Sequence, residues 1–149
     1  MSKFVGLEKE NIYSNRYRKN VNNSNYAYGN SNHESDKNSL STKESIIFNN
    51  HLKLIDSYGM VRRYAISFGY DNAVDFFNNL AKEHDFRFKR FVRFLRKVRN
   101  MRNNIVYKNI KYNIDQVFLN KLRSCVEICK EFDVLPNGTK LNFNIWRNV

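Results

Sequence analysis

The segment RFKRFVRFLRKVRNMRNNIVYKN, from Arg87 to Asn109, constrains this chain more than any other stretch. Phe88, Phe91, Leu95, Val98, Arg102 and Ile105 follow one another in alternating steps of three and four, the spacing of a single face of an α-helix. At about 100° per residue, Phe88, Phe91, Val92, Leu95, Val98, Ile105 and Val106 form an apolar arc. Lys89, Arg90, Arg93, Arg96 and Lys97 fall on the opposite side. An amphipathic helix of this length must cover its apolar arc with other elements, so the stretch belongs to a helical core and shows its charge outward.

That charge is concentrated. The 149-residue chain carries a net charge of +12 and 15% aromatic residues. Between Arg87 and Lys111 lie Arg87, Lys89, Arg90, Arg93, Arg96, Lys97, Arg99, Arg102, Lys108 and Lys111, with no acidic residue among them. A field of this kind attracts polyanions, and nucleic acid phosphate is the commonest inside cells. An anionic membrane surface or an acidic protein partner could use the same field, and a solvated surface is the plain structural alternative.

Other signals complete an all-α bundle of about four helices. Residues 1–41, rich in Asn and Ser and poor in aliphatic side chains, are expected to form a disordered or loosely docked tail. The bundle is expected over 42–135. Ser41 and Glu44 have capping-box spacing ahead of Ile46, Ile47 and Phe48, and Ile47, Leu54, Ile55, Tyr58 and Val61 form an inner face, with Gly59 a candidate kink. Gly69 then stops the first helix and Asp71 caps a second, whose inner face is Ala73, Phe76, Phe77 and Leu80. The helix through Arg87–Asn109 starts near Asp85. Asn113 or Asp115 opens a fourth, with Phe118, Leu119, Leu122, Val126, Cys129 and Phe132 inside. Residues 136–149 begin with the turn Pro136-Asn137-Gly138 and continue as an extended segment, since Leu141, Phe143 and Ile145 alternate with polar residues.

Several chemistries find no support. Cys125 and Cys129 stand four apart on one helix face, a spacing that suits neither a redox pair nor a zinc half-site, so they are expected as reduced core thiols. His33, His51 and His84 are isolated, and the latter two are expected at the surface. No metal cluster, phosphate-cradling glycine loop or serine nucleophile motif is present, and no cofactor is expected. Neither an apolar leader nor a membrane-length run occurs, so a cytoplasmic protein without a membrane partner is expected.

Arg102 demands its own explanation, because it occupies an inward step of an apolar stripe, with Arg99 at the margin of the same arc. A guanidinium there must either pair with an acid such as Glu44, Asp56 or Asp75, or face a water-filled groove able to take phosphate.

The words RNMRNNIVY, followed by a loop and the helix NIDQVFLNKL, resemble the HEPN superfamily over roughly residues 71–132. The family signature is an arginine, commonly followed by Asn, with a histidine four to six residues on. Arg102 and Asn103 match its first part, and Tyr107 holds the place of the histidine. The resemblance implies a small helical bundle, usually a homodimer, that binds RNA more readily than DNA. In active members the arginine stabilises charge on a phosphate while the histidine assists proton transfer. Tyrosine, with an ordinary pKa of about 10, is a poor base near neutrality but can donate a hydrogen bond or stack on a base. Five residues of unbroken helix also place Arg102 and Tyr107 about 140° apart, so one site can hold both only if the helix ends or distorts there, or if two subunits combine.

Three functional expectations follow. The first is a HEPN-like, RNA-binding helical protein whose nuclease activity is doubtful or vestigial. The second is a metal-independent ribonuclease using Arg102, Asn103 and Tyr107. The third is a dimeric interaction module for an acidic partner. In the first two, Lys89, Arg90, Arg93, Arg96, Lys97, Arg99, Lys108 and Lys111 would contact the nucleic acid backbone.

Overall fold

The structure of the protein, a computed structural model, describes residues 35–149. Over that span it is an all-α bundle of four helices: α1 (Ser35–Ser67), α2 (Ala73–Glu83), α3 (Arg90–Lys108) and α4 (Gln116–Val134). Single 3-10 turns at Phe86–Lys89 and Phe143–Trp146 precede α3 and follow α4. No helix of the described residues is long and apolar enough to cross a membrane.

Helix α1 is the spine, packing most extensively on α4 and also on α2 and α3. It begins at Ser35, ahead of the Ser41 start suggested by the capping-box spacing. No Gly or Pro lies between Ser35 and Tyr58, and Asp36 favours the first turn, so nothing in the chain ends the helix sooner. Residues 35–41 of the expected tail are therefore helical, and residues 1–34 lie outside the described residues. Gly59 does not break α1, which runs on to Ser67. Its intrinsic cost, on the order of 1 kcal/mol relative to Ala, is outweighed by the burial of Leu54, Ile55, Tyr58 and Val61 around it.

The stop at Gly69 is real. Its φ of 99° suits a residue without Cβ, and its N–H closes onto the Ile66 carbonyl at 2.9 Å. The cap of α2 is Asn72, not Asp71: its side chain accepts from the Asp75 N–H at 2.8 Å, because Asn72 holds the extended φ/ψ of a cap. Ala73, Phe76, Phe77 and Leu80 are all fully buried, as their spacing predicts. Asp85 caps the first 3-10 turn by accepting from the Arg87 N–H, and its carboxylate also takes the Arg87 guanidinium at 2.7 Å. Asp115 caps α4 by accepting from the Phe118 N–H at 2.8 Å.

The core runs through all four helices. Phe76 is its aromatic hub, packed against Phe68, Tyr70, Phe77 and Phe132 at ring distances of 5.0 to 5.5 Å. Cys125 and Cys129 are free thiols within this core, and burial pushes both well above the ordinary thiol range.

After α4 the expected strand period at Leu141, Phe143 and Ile145 resolves differently. Leu141 and Phe143 are buried, but Ile145 is exposed, because Phe143–Trp146 winds into a 3-10 turn. With no strand among the described residues to pair with, the segment instead anchors two side chains on the bundle. Phe143 packs on Phe88 at 5.0 Å, with the Arg87 and Arg90 guanidinium groups 4.9 and 5.0 Å from its ring centroid.

Candidate nucleic-acid interface

The basic face of α3 is where its helical angle places it. Lys89, Arg90, Arg93, Arg96 and Lys97 are exposed, and the first four line a shallow depression together with Val92. Not all of that charge is open to a ligand. Arg90 donates to the carbonyl oxygens of Arg147 and Val149 at 3.2 and 3.4 Å, so it also pins the C-terminal segment. Lys97 lies 5.8 Å from the ring of Phe118, which packs on Phe94 beneath a second cation, Lys121. Arg93 and Arg96 stand exposed in the middle of the face.

Farther along α3 the packing changes. Met101, which the stripe spacing passes over, takes the core position between Val98 and Ile105. Arg102 keeps to the inner side of the helix but is only half-buried, so it does not sit in a dry core. Its Nη1 donates to Oδ1 of Asn103 at 3.0 Å, and its guanidinium carbon lies 5.9 Å from the centroid of the Tyr107 ring. Arg102, Asn103 and Tyr107 thus form one patch within one chain.

The two side chains meet without a break in the helix. α3 continues through Lys108, but helical side chains lean toward the N-terminus. The length of the arginine stem lets its guanidinium come within 5.9 Å of the Tyr107 ring centroid. Tyr107 is 68% exposed, so its ring is presented to solvent as well as to Arg102.

Two residues of α1 lie within electrostatic reach of the patch. Tyr58 is buried against the inner side of α3; burial raises its phenol above the usual range, opposed by the charges of Arg99 and Arg102. Arg62, one turn on, is held below the ordinary guanidinium range first by burial and then by Arg102, while Tyr107 acts in the opposite sense. The hydrophobic and charge patterns of the sequence do not single out Arg62. The signal available is its place four residues after the buried Tyr58.

Beyond Lys108 the chain reverses. Asn109 adopts the left-handed conformation at φ 55°, and the Ile110 N–H closes onto the Asn104 carbonyl at 3.1 Å. The returning loop, which carries exposed Lys111, is fastened at three points. Asn104 Nδ2 donates to the Tyr112 hydroxyl at 2.7 Å, Asn50 Nδ2 donates to the Ile114 carbonyl at 2.9 Å, and the Tyr112 N–H donates to His51 Nε2 at 3.0 Å. Lys111 also lies 5.4 Å from the ring of Phe48.

The histidines differ from expectation. His51 is 1% exposed, not at the surface, because the loop folds over it and its ring nitrogen serves a backbone N–H that would otherwise be buried unmet. His84 is half-buried, with Nδ1 accepting from the Leu141 N–H at 2.7 Å. Burial lowers the pKa of both. His33 lies outside the described residues. Among the described residues no group of three or more His, Cys, Asp or Glu side chains gathers where it could hold a metal ion.

No family model, no curated protein and no solved structure matches the chain, so the patch is interpreted from its own geometry.

Proposed function

We propose that this chain is a HEPN-like nucleic-acid-binding protein, with RNA the favoured partner and nuclease activity absent or vestigial. The observation that carries the reading is the gathering of Arg102, Asn103 and Tyr107 into one accessible patch, continuous with the basic face of the same helix.

Arg102 supplies a planar donor fork suited to phosphate, and Asn103 orients it. Lys108 and Lys111 add positive charge where the α3 macrodipole alone would disfavour an anion. Arg93 and Arg96 extend the field along α3 and supply the sequence-independent part of binding. Among the described residues no histidine is placed to carry a proton. Tyr107 stands where the family places histidine, and His51 and His84 each hold a loop backbone N–H. Removing either from that task leaves a buried donor unmet.

Gel-shift titration of wild type and Arg102→Ala against RNA and DNA tests the proposal. Wild type should retard RNA at moderate salt, and Arg102→Ala should need more protein to do so. Failure of the wild-type protein to shift either nucleic acid would overturn it.

A further inference from the structure

The segment after α4 is attached to the bundle unevenly. Its first part is anchored: Leu141 and Phe143 are buried, the Leu141 N–H donates to His84 Nδ1 at 2.7 Å, and the Phe143 ring packs on Phe88 at 5.0 Å. Beyond Phe143 the hold weakens. Ile145 is 61% exposed, and the carbonyls of Arg147 and Val149 both lean on a single nitrogen, Nη1 of Arg90, at 3.2 and 3.4 Å. Both bonds are exposed to solvent and long for N–H···O contacts, so each stabilises little.

Trp146 adds a cost to this docking. Its ring packs partly buried against the core, but its indole Nε1–H is buried with no acceptor among the described residues. An unmet buried donor opposes docking, because the same N–H bonds freely to water once the side chain lifts away. Residues 144–149 are therefore held by apolar contact and two weak bonds against a standing polar penalty. Segments with that balance open locally while the core stays folded.

Resting on the nucleic-acid-binding reading above, we infer that residues 144–149 form an autoinhibitory strap whose two carbonyls occupy Arg90 as phosphate oxygens would, and which lifts when an RNA backbone takes that guanidinium. A phosphate meeting the Nη1–Nη2 edge of Arg90 must displace both carbonyls. An anionic oxygen binds a guanidinium more strongly than a neutral carbonyl does, which favours the RNA in this exchange. Arg90 also lines the depression it shares with Lys89, Arg93 and Arg96, so the strap borders the open part of the basic face. With Leu141 and Phe143 left in place, only the exposed end has to move. The coupling is reciprocal: RNA loosens the strap, and whatever loosens the strap tightens RNA binding.

Trp146 is the chain's single tryptophan, so its fluorescence reports the strap directly. A single-stranded oligoribonucleotide is titrated onto the protein, with binding followed by the anisotropy of a labelled copy and the strap by Trp146 emission and acrylamide quenching. At saturating RNA the emission of wild type should move to longer wavelength and the quenching should increase. Asn142 caps the 3-10 turn by accepting from the Asn144 N–H at 3.0 Å. Asn142→Ala should shift the emission before RNA is added and bind RNA about threefold or more tightly than wild type. Trp146→Ala, which removes the docked ring, should also bind more tightly. Circular dichroism establishes that each variant is folded. With RNA bound, an unchanged Trp146 emission, or wild-type affinity in both variants, would overturn the inference while leaving RNA binding intact. Failure of wild type to bind the oligoribonucleotide would overturn both readings.

Discussion

The backbone N–H of Tyr112 donates to Nε2 of His51, 61 residues earlier in the chain, across 3.0 Å in a site from which water is almost wholly removed. This bond ties the loop after α3 to the spine of the bundle, and so holds Lys111 and the end of the basic patch in place.

As acceptor from that N–H, Nε2 carries no proton, while the Tyr112 carbonyl, 3.1 Å from the same nitrogen, would accept one placed there. Burial is the largest influence on His51 and lowers its pKa below 6.5, outweighing the nearby Tyr112 backbone, with Lys111 adding to the lowering. The unfolded chain therefore takes up this proton first, and stability falls as pH drops. The contribution is complete above about pH 6.5 and declines below it. His51→Phe, which keeps a ring but cannot accept, should cost roughly 1–3 kcal/mol at pH 8 and flatten the dependence below pH 6.5. Urea midpoints of both proteins across that range check it.

The aromatic hub sets the strength of the core. Phe76 is fully buried and touches rings from the turn after α1, from α2 and from α4. Phe76→Ala should lower stability by about 3–5 kcal/mol, enough to leave little folded protein in a domain of this size. Phe76→Leu should keep a cooperative but weaker transition. Thermal unfolding followed by circular dichroism separates the two.

What the sequence disclosed and what it hid divide along one physical line. The inner face of α2 was legible at Ala73, Phe76, Phe77 and Leu80 because a short amphipathic helix declares its burial by period alone. Gly69 was legible because a left-handed stop is local chemistry, and the cap of α4 was narrowed to Asn113 or Asp115, of which the structure takes Asp115. His51 was not, since its burial depends on the path of a loop far away in sequence. The strand period at Leu141, Phe143 and Ile145 misled because the alternation holds only as far as Phe143, where the chain winds into a 3-10 turn and leaves Ile145 exposed. At the candidate site the pattern singled out Arg102, but it could not show that Arg62 of α1 lies within electrostatic reach of Arg102.

On the proposed reading, with Tyr107 and no histidine beside Arg102, RNA incubated with concentrated protein in EDTA should remain intact, and no fragments with cyclic phosphate ends should accumulate. Their appearance with wild type, together with their absence with both Arg102→Ala and Tyr107→Phe, would show that the patch sustains transfer and would replace the vestigial reading with an active one.

The central claim is that Arg102 meets phosphate, and salt dependence addresses it most directly. RNA affinity of wild type, Arg102→Ala and Arg93→Gln/Arg96→Gln is measured against ionic strength by fluorescence anisotropy. For each single-strand phosphate no longer neutralised, the slope of log affinity against log salt should flatten by about 0.7. Arg102→Ala should therefore bind more weakly, with a shallower slope, while unfolding as the wild type does. An Arg102→Ala protein with wild-type affinity and wild-type slope would contradict the account.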